Sequence, residues 1–184
     1  MSAVRIKDFV TEQEAQELTS WVLQNYDQPY FLDANMGGTR KTTRYSPHSD
    51  FEYPDTAHKV RKRVIDTLNL HENEKHGFRP PFKDGVVASY APPGDTCYEH
   101  IDPIWHEGFH TLHCNVITQA PDAGGVVIVE CTPFEMQDRE LFCYLVSRDR
   151  HEITEVVGNK PRCMWVFGFC VSDIEWKEFC EKHK

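Results

Sequence analysis

The sequence contains no apolar run long enough to cross a membrane as a helix. Its longest mostly apolar stretch, Cys163 to Val171, is about half the length that a bilayer requires. The residues that follow Met1 also lack the apolar stretch of a signal peptide. These absences predict a protein that neither spans a membrane nor enters the secretory route, and we expect it in the cytoplasm.

Paired cysteines and excess positive charge are also missing. None of the seven cysteines belongs to a C-x-x-C pair, and an odd number does not form a complete set of disulfides. We therefore expect buried, reduced thiols, and neither a disulfide framework nor a zinc–thiolate site. Twenty Lys and Arg against 29 Asp and Glu leave a formal net charge of −9. This balance disfavours nucleic acid as a partner, because phosphate binding relies on basic residues.

The chain does contain enough apolar sequence for one domain of mixed structure. Of its 184 residues, 40% are hydrophobic and 12% are aromatic, so a sizeable core is expected. Residues 1–80 carry helical patterns and form a predicted helical buttress, and residues 172–184 form a predicted C-terminal helix. Residues 81–171 carry short strand patterns separated by turns. This order predicts a mainly β (α+β) domain whose strands form a sandwich or barrel.

Two capping boxes mark predicted helix starts. Thr11 is followed three residues later by Glu14, and Ser172 is followed by Glu175 at the same spacing. A further helix is predicted from about Thr56 to Leu70, where apolar residues recur at helical spacing.

The stretch Tyr98–Pro103 holds the first candidate metal ligands. On an extended backbone, residues two apart project to the same face, so His100 and Asp102 can converge on one ion while Ile101 packs behind them. Pro103 favours an extended conformation for Asp102. His-x-Asp alone is a weak signal in a chain with ten histidines, and a loop histidine bonded to an acid is the alternative interpretation.

A second histidine and an arginine strengthen the metal hypothesis. His151 begins one predicted strand, and Arg162 opens the strongly apolar strand that follows. A cation at the start of an apolar strand calls for an anionic partner, because burying it unpaired is costly. Two histidines, one carboxylate and a downstream arginine meet the requirements of a non-haem Fe(II) oxygenase. Its facial triad leaves coordination positions open for an oxo-acid and O₂.

In this order the motifs resemble the Fe(II)/2-oxoglutarate-dependent dioxygenase superfamily, specifically its prolyl 4-hydroxylase-like branch. Val87–Gly94 is similar to the strand and turn that precede the family's His-x-Asp, and residues 124–125 are similar to its glycine pair. His151–Ile153 with Arg162 is similar to its distal histidine and cosubstrate-binding segment. The resemblance implies a double-stranded β-helix, the cupin-like jelly roll, with N-terminal helices packed on one sheet.

The resemblance also implies a metal centre. His100, Asp102 and His151 would ligate Fe(II), and 2-oxoglutarate and O₂ would serve as cosubstrates. 2-Oxoglutarate would chelate the iron through its 1-carboxylate and 2-oxo group. Its distal carboxylate would pair with Arg162, whose planar guanidinium suits bidentate contact.

Three further residues belong to the cosubstrate end of this implied site. Tyr90 matches a family position whose hydroxyl often reaches the same carboxylate. Asn115 stands where related enzymes often have a tyrosine near the cosubstrate. Lys160 is an alternative to Arg162 as the anchor, although Arg162 begins the strand directly and Lys160 lies in the turn.

Candidate substrate-side residues lie in residues 33–50 and in the stretch after the His-x-Asp motif. Residues 33–50 combine glycine, proline and hydroxyl side chains and are interpreted as an exposed loop, in which Arg40 or Arg44 would read a substrate carboxylate or phosphate. Trp105, just past the metal motif, would form a wall of the substrate pocket or pack in the core. Further histidines in this region are interpreted as surface or substrate-side residues: His106, His110 and His113.

The predicted activity is hydroxylation of an unactivated C–H bond, with decarboxylation of 2-oxoglutarate to succinate. The substrate is predicted to be a small amino-acid-like metabolite, and a peptidyl (prolyl) hydroxylase is the alternative. A non-catalytic, cupin-like metal- or ligand-binding protein is the alternative of another class. The sequence leaves the oligomeric state open.

Overall fold

The computed structural model describes residues 3–34, 37–43, 51–70, 85–104 and 107–183. The helices in these ranges are α1 (Glu12–Asn25), α2 (Asp55–Leu68) and α3 (Asp173–Lys182). The strands are β1 (Ala3–Ile6), β2 (Phe31–Asp33), β3 (Lys41–Thr43), β4 (Val86–Ala91), β5 (Cys97–His100), β6 (His110–Gln119), β7 (Ala123–Gly124), β8 (Val127–Val129), β9 (Thr132–Phe134), β10 (Leu141–Leu145), β11 (His151–Ile153), β12 (Val156–Val157) and β13 (Arg162–Val171). None of these helices combines the length and the apolar character of a membrane-crossing segment.

Two antiparallel sheets form the body of the fold. The larger has the strand order β1-β10-β6-β13-β4-β3-β2, and the smaller has the order β5-β11-β8-β9. Side chains from both sheets share one buried cluster, in which Phe142 and Tyr144 of the larger sheet lie with Val129 and Ile153 of the smaller. The two sheets therefore face each other, and the predicted sandwich-like β architecture is confirmed.

The helices cover the outer face of the larger sheet, as expected for a buttress. Trp165 and Phe167 of β13 belong to the core under the helices, and the Trp165 indole N–H donates to the carbonyl of Leu18 in α1 at 3.3 Å. Met164 and Val166 alternate with them and face the other way, into a cluster between the sheets. Every residue of β13 is buried, which explains why its sequence is apolar from Cys163 onward.

The two predicted capping boxes are present. The Thr11 hydroxyl accepts from the Glu14 backbone N–H at 3.2 Å, and the Thr11 N–H donates to the Glu14 carboxylate at 2.9 Å. Ser172 and Glu175 make the same reciprocal pair at the start of α3. Local sequence therefore decides where both helices begin.

Glu14 also joins α1 to α2. The Arg63 guanidinium donates from Nη2 and Nη1 to the two Glu14 carboxylate oxygens, at 2.6 and 2.9 Å. This hydrogen-bonded ion pair, together with the capping contacts of Thr11, lowers the pKa of Glu14 to about 2. The ionised carboxylate is therefore bound more tightly in the folded chain than the neutral acid.

Glu14→Gln is expected to lower the free energy of unfolding at pH 7 by about 1 kcal/mol, because the ion pair between the helices is lost. A carboxyl whose pKa is lowered on folding stabilises the fold above its unfolded pKa near 4.5 and loses that contribution as the pH falls toward 2. The Tm difference between wild type and variant should therefore shrink between pH 4.5 and 2. Glu12→Gln, in the same helical turn, is the control, and a pH-independent Tm difference would contradict the prediction.

The exposed loop predicted over residues 33–50 is wrong at Lys41–Thr43, although residues 37–40 do form a loop. Lys41–Thr43 form β3, which pairs with β2 and with β4. Thr43 is fully buried, and its hydroxyl accepts from the Ala88 backbone N–H at 2.9 Å. The polar composition marks the turn, but a strand forms because the neighbouring sheet edge offers hydrogen-bond partners.

Candidate metal centre

The three predicted ligands come together where two strands of the smaller sheet meet. His100 ends β5, His151 begins β11, and the two residues are directly paired across the antiparallel ladder. Asp102 follows β5, and its backbone N–H donates to the Val146 carbonyl at 2.8 Å. One ligand atom from each of the three side chains lies within 4.8 Å of the others.

Hydrogen bonds orient both imidazoles toward this point. His100 Nδ1 lies 2.8 Å from the Tyr98 carbonyl oxygen, and His151 Nδ1 lies 3.0 Å from the Asp149 carbonyl oxygen. Because a carbonyl oxygen only accepts, each Nδ1 carries the proton and donates it. The Nε2 lone pair of each ring is therefore the one available to a metal ion.

The centre has a negative potential. His100 Nε2 lies 3.5 Å from Asp102 Oδ1, and Asp102 is 6% exposed. The Asp102 carboxylate, with a smaller contribution from the Cys97 thiol, raises the pKa of His100 to about 10. A divalent cation bound between these side chains would displace the Nε2 proton of His100 and take its place beside the Asp102 carboxylate.

A cavity of about 130 Å³ opens between the two sheets beside the three ligands. Val87, Met164 and Val166 form its apolar wall. His113 of β6 also lines the cavity, with its Nε2 4.0 Å from Asp102 Oδ2. Of the undecided histidines, His113 is thus a cavity residue, whereas His110 pairs with exposed Asp173 and His106 lies outside the described residues.

Tyr144 of β10 is a cavity residue that the sequence analysis missed. Its ring centroid lies 5.2 Å from that of His151, and the side chain is 5% exposed. Burial, together with the charge of Asp102, raises the pKa of the Tyr144 hydroxyl above its usual range. The hydroxyl therefore remains an O–H donor at neutral pH.

Arg162 is buried with much of its hydrogen-bonding capacity unused. It is 1% exposed, and Nη1 donates to the Gly125 carbonyl at 3.3 Å. Its Nε and Nη2 have no hydrogen-bond partner in the described part of the chain. Burial lowers the pKa of Arg162 to about 9, and the positive charge of Arg40 acts in the same direction. A guanidinium in this state is stabilised by any carboxylate that reaches it.

Two of the three other cosubstrate-side candidates, Asn115 and Lys160, differ in position. Asn115 lies in the cavity wall, where its amide Nδ2 donates to the Phe142 carbonyl at 3.1 Å. Lys160 lies at the surface with a 41% exposed side chain, and its amine is 3.9 Å from Asp138. Of the two candidate anchors, Arg162 is therefore buried and Lys160 is exposed.

The structure does not bring Tyr90 to the site. Its ring stacks on Tyr26 at a centroid distance of 4.2 Å, against the core under the helices. Successive strand residues point to opposite faces, so the preceding residue, Ser89, faces the cavity instead. The Ser89 hydroxyl is buried and has no partner among the described residues. Ser89, and not Tyr90, therefore lines the cavity from β4.

Of the substrate-side candidates, Arg40 alone falls in the described residues. It lines the cavity, but its guanidinium is paired with Asp95, a fully buried carboxylate in the turn after β4. Arg44 and Trp105 lie outside the described residues.

Neither a family model nor a curated protein matches the sequence. Solved structures do match. A viral collagen prolyl hydroxylase from Paramecium Bursaria Chlorella virus-1, in a 2OG complex, is 15% identical, with a TM-score of 0.67 over 93% of this chain and 97% of that chain. A Pseudomonas putida prolyl-4-hydroxylase is 12% identical, with a TM-score of 0.62 over 93% and 92%. The chain has the fold of these hydroxylases.

A third match is a prolyl hydroxylase from Trichoplax adhaerens in complex with a hypoxia inducible factor peptide fragment. It is 15% identical, with a TM-score of 0.63 over 96% of this chain and 86% of that chain. At 12–15% sequence identity, structural similarity establishes the fold alone. The predicted jelly-roll fold of the prolyl 4-hydroxylase-like branch is therefore confirmed as a fold. The chemistry of the site is argued from the chain's own residues.

Proposed function

We propose that this protein is a non-haem Fe(II)- and 2-oxoglutarate-dependent dioxygenase that hydroxylates an unactivated C–H bond. The observation that carries the proposal is the convergence of His100, Asp102 and His151 in a fold that also buries Arg162 with two unpartnered nitrogens. A simple metal binder needs the three ligands but not the arginine. Bound Fe(II) would supply O₂ activation coupled to the decarboxylation of 2-oxoglutarate to succinate.

The donor set fits a ferrous ion. Two imidazole nitrogens and one carboxylate oxygen are the facial set typical of non-haem iron oxygenases, and they leave positions open for other ligands. The Nδ1 bonds of His100 and His151 hold both rings in the tautomer and orientation that metal binding needs. The charge of Asp102 offsets part of the charge of a divalent cation.

Arg162 fits one end of a dicarboxylic acid such as 2-oxoglutarate. Its free Nε and Nη2 are two donors of one planar group, which suits the two oxygens of a carboxylate. The Ser89 hydroxyl faces the cavity from the neighbouring strand β4, and Tyr144 stays an O–H donor in the cavity wall. We infer that these three side chains hold the distal carboxylate and so position the cosubstrate.

The apolar wall has a complementary role. Val87, Met164 and Val166 are at most 9% exposed and present no hydrogen-bonding side chain to the cavity. They limit the entry of water, which strengthens the ion pair at Arg162 and protects a reactive centre.

Anaerobic titration of the protein with Fe(II) and 2-oxoglutarate tests the proposal. We expect a weak visible charge-transfer band, followed by stoichiometric succinate once O₂ and substrate are admitted. A silent spectrum and no succinate would instead favour the cupin-like metal- or ligand-binding protein.

The substrate proposed from the sequence is a small amino-acid-like metabolite. Peptidyl hydroxylation is a second candidate, and the surface beside the metal ligands favours it. Tyr98, Ile101 and Ile104 are 52%, 47% and 59% exposed, so Ile101 does not pack behind the ligands as expected. Such exposed apolar groups suit contact with an extended chain. A peptide is much larger than the cavity of about 130 Å³, so most of it would lie outside, against this surface.

Mass spectrometry separates the two substrate classes. The Fe(II)-loaded protein is incubated with free amino acids or with proline-rich peptides, and a gain of one oxygen is followed together with succinate. Tyr98→Ser with Ile104→Ser should reduce peptide turnover and leave succinate formation with a small substrate unchanged. Oxygen gain only in free amino acids would remove the peptidyl candidate.

A further inference from the structure

A buried ion pair lies in the cavity wall beyond the three metal ligands. Arg40, from the loop between β2 and β3, has an 11% exposed side chain, and Asp95 is fully buried. The loop fits Asp95 closely, because a Cβ on Gly38 would lie 2.3 Å from Asp95 Oδ1. The pair is therefore built into the fold and is not a chance surface contact.

The pair satisfies only one of the two carboxylate oxygens of Asp95 within the described residues. Arg40 Nε and Nη2 both contact Oδ2, at 3.3 and 3.4 Å, and Oδ1 has no hydrogen-bond partner in the described ranges. An unsatisfied buried carboxylate oxygen is costly, so a second cation within reach would be drawn to it.

Arg162 is that second cation. Ala91 is paired directly with Arg162, and the chain turns immediately afterwards through Pro92 to Asp95, whose N–H donates to the Pro92 carbonyl at 3.0 Å. The charges of both Arg40 and Asp95 act on the Arg162 guanidinium, in opposite directions. Arg40, Arg162 and Asp95 together carry one net positive charge, which is available to an anionic ligand. Without Arg40, the charges of Arg162 and Asp95 cancel and none is left for the ligand.

We propose that Arg40 is a positioning residue that engages Asp95 and thereby keeps Arg162 available for the distal carboxylate of the cosubstrate. This inference rests on the proposed function, in which Arg162 is the anchor. Without Arg40, Asp95 pairs with Arg162 and competes with the ligand. Arg40 then affects cosubstrate affinity without touching the cosubstrate, and it does not affect metal affinity.

The test measures 2-oxoglutarate affinity by isothermal titration calorimetry on Mn(II)-loaded protein, so that no turnover occurs. Arg40→Met should weaken 2-oxoglutarate binding about tenfold. Asp95→Asn should bind at least as tightly as wild type. The double variant Arg40→Met/Asp95→Asn should return to within about threefold of wild type, because the competing charge is gone. Arg139→Met, which removes a surface arginine paired with Asp8, is the matched control.

Four results would overturn the inference. Unchanged binding by Arg40→Met removes the role of Arg40. A double variant as weak as Arg40→Met shows that Arg40 contacts the ligand directly. If Arg40→Met does not fold, the comparison of Asp95→Asn with the double variant decides: equal affinity supports the inference, and a tenfold difference overturns it. Wild type that binds Mn(II) but no 2-oxoglutarate would instead overturn the proposed function, and this inference with it.

Discussion

Asp102→Ala protein is expected to bind Fe(II) more than about 100-fold more weakly and to lose turnover by at least the same factor. Loss of groups that only orient ligands already costs about 10–100-fold, and Asp102 is a ligand itself. It also supplies the only negative charge among the three ligands, so its removal leaves two neutral imidazoles to hold a divalent cation. Metal affinity by calorimetry and succinate formation measure the two effects.

Asp173→Ala is the matched control for this prediction. Asp173 also pairs with a histidine, with its Oδ1 3.1 Å from His110 Nε2, but it is 79% exposed and lies outside the cavity. Its removal should leave Fe(II) affinity and turnover unchanged. Full Fe(II) affinity in Asp102→Ala would show that the ion binds elsewhere and would remove the proposed centre.

Arg162→Met is expected to raise the 2-oxoglutarate concentration for half-maximal turnover more than about 100-fold. Truncating one partner of a buried charge pair costs about 2–5 kcal/mol, and each 1.4 kcal/mol is a factor of about ten. The ligand-free variant should also be more stable than wild type, with a free energy of unfolding about 1 kcal/mol higher. The reason is that a buried cation with two unpartnered nitrogens is replaced by an apolar side chain. The increase in Tm that 2-oxoglutarate causes in Mn(II)-loaded wild type should disappear.

Lys160→Met is the control, and it also tests the alternative hypothesis that Lys160 is the anchor for 2-oxoglutarate. Lys160 is 41% exposed, so its loss should change neither the cosubstrate requirement nor the Tm. If Lys160→Met requires more 2-oxoglutarate and Arg162→Met does not, Lys160 is the anchor. A ligand-free Arg162→Met protein that is markedly less stable than wild type would show that Arg162 has a stabilising partner beyond the Gly125 carbonyl.

The helix starts and the convergence of the three candidate ligands were predicted correctly, because they depend on local sequence or on strong chemical signatures. Thr11 and Ser172 begin helices because their capping partners lie three residues away on the same turn. His100, Asp102 and His151 stand out because this set of side chains has few structural uses at strand ends. Arg162 stands out because a cation opens an otherwise apolar strand.

The predictions for Tyr90 and Ile101 failed because they depend on which way a side chain at a strand points, toward the cavity, the core or the solvent. Tyr90 and Ser89 are adjacent, and the sequence does not state which of them points toward the cavity, because both faces of β4 are buried. Ile101 was expected to pack behind the ligands but is 47% exposed, since the chain leaves the strand at His100.

By itself the sequence determined the helix starts, the strand-rich second half and the three candidate ligand residues, since these follow from local hydrogen bonding and from side-chain chemistry. Only the tertiary structure decided that Tyr144 and Ser89 share the cavity, that Tyr90 does not, and that Arg40 is held by Asp95. Those facts depend on strand register and on charges that are close in space but distant along the chain. No local pattern encodes such distances, because they exist only once the two sheets have packed together.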